Sequence, residues 1–241
     1  MTDIKFPGED PISQGVFNYH FHRDNSPIRI HSDGFDTDEV LPSYFFRSYN
    51  QMPKLEQKAL DLAYGKVLDV GACVGCHSNY LQEKGLDVTA LERSSLCCQV
   101  MKDRGIKQVL QNDFFQLEHN QFDTILLLMN GTGIAGTLNR LGDLLQKLKS
   151  LLAPGGQILI DSSDLIFLYM EDDGSAVVDL AAEDYYGELI FQTDYKQQKG
   201  LSFPWLYVDP DLLKEYVQNN KLKVKQVFRG DHYDYLAQIT H

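Results

Sequence analysis

Short apolar runs and amphipathic stretches take turns through the middle of the chain, and their order predicts the architecture. Residues 66–70 read as a strand, 76–84 as a helix, 87–91 as a second strand and 94–104 as a second helix. Strand 108–111 follows. Strand 124–129 carries the unbroken apolar run Ile125, Leu126, Leu127, Leu128, Met129, which suits a strand covered on both faces. Residues 138–152 have helical spacing, and Ala153, Pro154, Gly155 and Gly156 then form a turn into strand 157–161. Such alternation implies parallel strands, right-handed crossovers and helices on both faces of one sheet.

Outside this core the rhythm changes. Residues 1–42 read as an N-terminal extension rich in His, Asp, Asn, Pro and aromatic residues, with strands expected at 15–22 and 28–31. From 43 to 63 the positions Phe46, Met52, Leu55, Ala59 and Leu62 fall at helical spacing, with a break or restart at Pro53. Beyond Asp161, strands 187–195 and 201–208, joined by a Gln197-Gln198-Lys199-Gly200 turn, form a hairpin insertion spanning about 185–208. Asp209 and Pro210 open a helix to about 219, and strands 223–229 and 233–240 close the chain. The expected organisation is an extension, 1–42, and a single domain, 43–241.

Composition narrows the function. Hydrophobic residues at 43% and charged residues at 23% are those of a globular protein. The net charge of −12, with Lys and Arg scattered, repels phosphate backbones and argues against nucleic acid. No apolar run reaches the roughly 18 residues of a membrane span, and the polar start lacks a signal-peptide core, so a cytoplasmic protein without a membrane partner is expected. Cys73, Cys76, Cys97 and Cys98 do not resemble a secreted disulfide framework. The adjacent Cys97 and Cys98 would point apart on a helix, so no zinc site is expected. His20, His22 and Asp24 suit alternating polar positions of an exposed strand better than a metal site.

The chemistry concentrates at three successive strand ends. In Val67-Leu68-Asp69-Val70-Gly71-Ala72-Cys73-Val74-Gly75 a β-branched strand runs into a small-residue turn and then a helix, so backbone amides can approach a ligand beside a helix N-terminus. Glu92 ends the second strand, where an acid can accept both hydroxyls of a ribose, and Arg93 follows it. Asp113 lies past the third strand, where a carboxylate can take an adenine amino group while Phe114 packs on the ring. A nicotinamide enzyme shares this layout, but its glycine motif needs glycine at 73 and 76, where cysteines stand. A thiol-disulfide enzyme is suggested by Cys73-Val74-Gly75-Cys76, although the long N-terminal region and the later acids do not fit it. A non-catalytic nucleotide-binding protein of the same fold stays open.

Together these pieces resemble the class I, Rossmann-like S-adenosylmethionine-dependent methyltransferases of small-molecule type, over residues 65–161 and the two closing strands. The family's first motif, acidic-x-Gly-x-Gly-x-Gly, is matched by Asp69, Gly71 and Gly75, with Cys73 at the middle glycine. The resemblance implies Glu92 as the ribose acid, Asp113 as the adenine acid and Pro154-Gly155-Gly156 as the turn before the fifth strand. It also implies an α/β, doubly wound sheet of about seven mostly parallel strands with an antiparallel last strand. S-adenosylmethionine would be the cofactor and a small molecule the acceptor. No Asn-Pro-Pro-Tyr motif follows the fourth strand, where Met129-Asn130-Gly131-Thr132 stands, which argues against base amino-methylation.

Because the sulfonium already activates the methyl group, the protein must chiefly align the acceptor and exclude water, and no general base can be assigned. Asn130 follows the fourth strand, where donor and acceptor should meet, and Asp161 ends the fifth. Tyr44 and Arg47, in Tyr44-Phe45-Phe46-Arg47, are candidates to border the sulfonium and meet a carboxylate. Tyr185, Tyr186, Phe203, Trp205 and Tyr207 are candidates to wall an acceptor pocket. That pocket is expected where the segment around Tyr44 and the 185–207 hairpin fold over the carboxyl ends of the strands. The oligomeric state leaves no trace in the sequence.

Overall fold

The computed structural model describes residues 10–32, 35–118, 121–170 and 185–241. The chain opens with α1 (Pro11–His22), β1 (Ile28–Ser32) and β2 (Asp38–Val40), then makes two 3-10 turns at Pro42–Phe46 and Tyr49–Gln51 before α2 (Lys54–Leu62). Next come β3 (Lys66–Val70), α3 (Cys76–Glu83), β4 (Asp87–Glu92), α4 (Ser95–Asp103), β5 (Gln108–Gln111), β6 (Phe122–Leu127), α5 (Leu141–Leu151) and β7 (Leu152–Ser163). The described remainder is β8 (Glu188–Tyr195), β9 (Gln198–Lys199), β10 (Phe203–Leu206), α6 (Pro210–Asn219), β11 (Lys223–Arg229) and β12 (Asp234–Thr240).

Seven strands form the main sheet in the order β11-β12-β7-β6-β3-β4-β5. Neighbours from β5 through β7 are parallel, whereas β12 runs antiparallel to both β7 and β11. Successive residues of one strand serve opposite faces: Ile125 and Ile158 pack with Leu141, Leu145 and Leu148 of α5. Leu126 and Leu159 pack with Leu55 and Leu60 of α2 and Leu81 of α3. Strands covered on both sides need unbroken apolar runs, and β6 has one. From β3 the chain steps to β4 on one side and later to β6 on the other, which opens a crevice at the carboxyl ends of β3 and β6.

A second, antiparallel sheet has the order β10-β8-β1-β2, with β9 hydrogen-bonded to β8. It joins the N-terminal strands to the later hairpin, for Ile28 pairs with Tyr195 and Ser32 with Phe191. The helix α1 packs between this sheet and α4, close enough that a Cβ on Gly15 would lie 2.7 Å from the Ile28 side chain.

Several expectations are corrected. Residues 15–22 belong to a helix, not a strand: the Ser13 amide donates to Asp10 at 2.8 Å and Pro11 holds the first turn, and this cap overrides the alternating Phe17, Tyr19, Phe21 pattern. His20 and His22 therefore share no strand face, and His20 bonds Asp103 of α4 at 2.7 Å. The helix expected over 43–63 is split into two 3-10 turns and α2, restarting after Pro53. Residues 153–156 are absorbed into β7, with Gly155 in the left-handed region at φ 79° and a register shift opposite Phe122. The turn placed at 197–200 sits at Lys196 and Gln197, with Lys196 at φ 56°, because Gln198 and Lys199 already pair with β8.

Candidate active site

A cleft of about 1030 Å³ lies between the carboxyl ends of β3, β4 and β6 and the inner face of the small sheet. Gly71, Cys73, Glu92, Arg93, Asp113, Phe114 and Asn130 line it from the main sheet, and Ile30, Phe191, Phe203, Trp205 and Tyr207 from the other.

The turn after β3 is held by its backbone. The Gly71 and Ala72 amides donate to the Leu91 carbonyl at 2.9 and 3.0 Å, and Gly75 at φ 75° opens α3. Nothing lies within 4 Å of a Cβ built on Gly71, so the chain there has an open edge. Cys73 adopts φ 49°, a conformation costing a side-chain-bearing residue about 1–2 kcal/mol, which explains why glycine is natural at this position. Asp69 is buried with its carboxylate accepting from the Ser78 hydroxyl at 2.6 Å, so it fastens β3 to α3 and does not line the cleft.

Glu92 is fixed by three amides: Cys73 donates to Oε2 at 2.9 Å, and Arg93 and Ser94 donate to Oε1 at 2.8 and 2.9 Å. Burial raises its pKa, and the amides oppose the rise by favouring the charged form. Past β5, Asp113 Oδ1 accepts from the Phe115 amide at 2.7 Å. Beside it Phe114 is buried, and the Arg140 guanidinium sits 5.0 Å over the Phe115 ring.

After β6 both Met129 and Asn130 are left-handed, at φ 67° and 63°. This strained corner is held by Asp161, whose oxygens accept from the Met129 amide at 3.1 Å and the Gly131 amide at 2.8 Å. Burial pushes the Asp161 carboxyl up to about 6. Asn130 donates to the Leu206 carbonyl at 3.1 Å and accepts from Ser162 at 3.1 Å, tying the corner to β10 and β7. Trp205 packs on the next turn so closely that a Cβ on Gly133 would lie 2.1 Å from its indole.

The structure separates the remaining candidates. Arg47 is buried with its guanidinium bridging both Glu56 oxygens at 2.7 Å, and its N–H donates to the Tyr44 carbonyl at 2.7 Å. The same Glu56 bonds His77 at 2.7 Å. Burial works against the charged imidazole, but the Cys76 sulfur, Glu56 and Asp69 outweigh it, and the His77 pKa stands above the ordinary value. Tyr44 stacks over Arg47 at 3.8 Å, and it is Phe45 that lines the cleft. Asp161, Ala72 and Gly75 lie behind the lining, while Tyr185 and Tyr186 donate to Asp209 and Asp164 at 2.8 Å, away from it. Sequence reasoning missed Glu56 and His77, which carry no motif, and Asp36, Asp38 and Phe191 of the lining.

Likeness to known proteins agrees with this geometry. A methyltransferase-domain family model matches residues 68–160. The crystal structure of a SAM-dependent methyltransferase from Bacteroides fragilis, in complex with S-adenosyl-L-homocysteine, is 41% identical. It covers 98% of this chain and 97% of its own, with a TM-score of 0.90. The chain belongs to the S-adenosylmethionine-dependent methyltransferases. Its methyl donor is therefore S-adenosylmethionine. Two more distant proteins share the fold: the CcbJ methyltransferase from Streptomyces caelestis is 13% identical, covering 80% of this chain and 98% of its own at a TM-score of 0.61. DesVI from Streptomyces venezuelae is 16% identical, covering 82% and 94% at 0.55. Among curated proteins nothing matches the chain. For a methyltransferase the open edge at Gly71 and the anchored Glu92 are suitable fittings, since a ligand backbone and a diol need an unobstructed turn and a fixed acceptor.

Proposed function

We propose that this methyltransferase binds S-adenosylmethionine along the ends of β3, β4 and β5 and methylates a small molecule held beneath the small sheet. The observation that carries the reading is the single cleft in which Gly71, Glu92 and Asp113 face Phe191, Trp205 and Tyr207. Glu92 takes both ribose hydroxyls, with three amides holding its oxygens in place. Asp113 keeps Oδ2 for the adenine amino group, and Phe114 packs on the ring with Arg93 at its flank. The turn Gly71-Ala72-Cys73-Val74-Gly75 receives the methionine portion on its backbone. Asp69 acts through Ser78, and Asp161 and Asn130 act through the 129–131 corner, as positioning residues.

When bound, the sulfonium supplies an activated methyl group: a bond forms from the acceptor atom to carbon, the sulfur–carbon bond breaks with its electron pair left on sulfur, and a protic acceptor gives its proton to water. The chain's part is alignment and exclusion of water, worth up to about 7–11 kcal/mol of barrier when the geometry is near-attack. We infer that the described part of the N-terminal extension, residues 10–32 and 35–42, and the 185–208 hairpin serve the 43–241 unit as the acceptor-side wall, since β1, β2, β8 and β10 share one sheet. A cytoplasmic location is supported by four free cysteines and an acidic surface, and no described helix is long and apolar enough to cross a membrane.

Parallel calorimetric titration with S-adenosylhomocysteine and NAD tests the reading. S-adenosylhomocysteine should bind and, at a hundred times its Kd, stabilise the fold by about 2.7 kcal/mol. Binding of NAD alone would overturn it.

A further inference from the structure

The small sheet sorts its charges by face. Cross-strand partners share a face in an antiparallel sheet, so the register sets which side chains meet. One face carries Arg29, His31, Glu39 and Asp194, all paired: Arg29 bonds Glu39 at 3.0 Å, and His31 bonds Asp194 at 2.6 Å. The face toward the cleft carries the row Asp38, Ile30, Thr193 and the row Ser32, Phe191, Phe203, with Leu189 opposite Trp205. The side chains of Asp38, and of Asp36 beside it on the lining, are exposed and have no ion pair or hydrogen bond among the described residues. Among the described residues no Lys, Arg or His lines this half of the cleft; Arg93 and Arg140 belong to the main-sheet side. Ser32 Oγ is buried without a hydrogen-bond partner. The Tyr207 phenol is pushed up to about 12 by burial and by the charges of Asp161 and Asp38, so it faces the cleft as a neutral hydroxyl.

We propose that the acceptor is a small amine that binds as its ammonium ion, held by Asp38 and Asp36 and by the aromatic faces of Phe191, Trp205 and Tyr207, and that one N–H proton passes to an Asp carboxylate or to water before the freed nitrogen lone pair attacks the methyl carbon. This rests on the methyltransferase reading and adds the acceptor class. A carboxylate or phosphate acceptor on this wall would be repelled by two carboxylates, the cleft's cations Arg93 and Arg140 lying on the opposite wall, and a neutral alcohol would leave those carboxylates without use. An ammonium is attracted both by the carboxylates and by ring faces within about 6 Å. The net charge of −12 favours approach of the same class of ligand.

The test uses the full chain saturated with S-adenosylhomocysteine and three matched sets of probes: phenethylamine, 2-phenylethanol and phenylacetate; cyclohexylamine, cyclohexanol and cyclohexanecarboxylate; glucosamine, glucose and glucuronate. Calorimetry should find binding by at least one amine and by neither of its counterparts. The double variant Asp36→Asn, Asp38→Asn should weaken that binding by about fivefold or more, with unchanged affinity for S-adenosylhomocysteine as the control for folding. Equal or tighter binding of an alcohol or carboxylate overturns the proposal. So does an amine indifferent to the double variant, or a failure of every amine while S-adenosylhomocysteine binds. If S-adenosylhomocysteine itself does not bind, the earlier reading is what fails.

Discussion

On one wall of the cleft, Gly71, Glu92 and Asp113 each sit at or just beyond the end of the strand that positions them, in consecutive strand-helix units. On the other wall, β8 takes its partner from the opposite end of the chain, Ile28 against Tyr195 and Ser32 against Phe191. The first wall is built by local order and backbone hydrogen bonds, the second by long-range pairing that exists only once the chain has folded. Cofactor chemistry common to a family suits the first kind of wall, and a variable acceptor suits the second.

The two walls meet at the buried group Arg47, Glu56 and His77, which links the segment after β2 to α2 and α3. Removing Glu56 leaves two cationic partners buried without their acceptor, so Glu56→Ala should cost about 3–5 kcal/mol of stability by urea denaturation. This is the largest expected effect, and its absence would mean that the walls are joined elsewhere. The contribution has a pH window. The His77 pKa is raised by folding, so its share is complete below the ordinary 6.5 and lost as pH climbs through the higher folded value. That of Glu56 is lowered against the opposing effect of burial, chiefly by His77 and Arg47, so its share is complete above 4.5 and lost as pH falls through the lower folded value. The stability gap between wild type and His77→Gln should therefore be widest between pH 4.5 and 6.5 and close toward alkaline pH.

A substitution on the acceptor wall should spare the cofactor wall. Gly133→Ala places a methyl group where the Trp205 indole lies, and overpacking of this kind costs about 1–3 kcal/mol. Methyl transfer should fall sharply, while affinity for S-adenosylhomocysteine stays within about twofold, or roughly 0.4 kcal/mol. Equal losses of both would show that the walls are one functional unit. Smallest of all should be the effect of Cys73→Ala with Cys76→Ala, which keeps the backbone of the turn and should leave cofactor affinity within about tenfold. Complete loss of activity in a folded double variant would point to thiol chemistry.

The same contrast decides what was legible in the sequence. The strands from β3 to β7, the helices between them and the acids Glu92 and Asp113 were readable because apolar periodicity and strand-end position are local properties. The helix α1 was misread although Asp10, Pro11 and Ser13 announce its cap, because Phe17, Tyr19 and Phe21 alternate like a strand. Arg47 was read as a ligand for an acceptor, yet its partner Glu56 lies on the next helix and no spacing rule connects them. Asp38 gained meaning only from the register that sets it beside Ile30 and Thr193. Asp161 was visible as a strand-end acid, but the left-handed corner at Met129 and Asn130 that occupies its oxygens was not.

The central claim, that Glu92 is the fixed acceptor for the ribose, is tested most directly by titrating S-adenosylhomocysteine into wild type and Glu92→Gln across pH. Charge-assisted hydrogen bonds contribute about 1.5–3 kcal/mol each, so the variant should bind on the order of tenfold to several hundredfold more weakly at neutral pH with little change in melting temperature without ligand. Wild-type affinity should fall as the solution is acidified through the Glu92 pKa. Because burial raises that pKa above 4.5, the fall should begin at a higher pH than an ordinary glutamate would give, and the variant should not show it. Equal affinities for wild type and variant at neutral pH, or the same acid response in both, would place the ribose elsewhere and contradict the account.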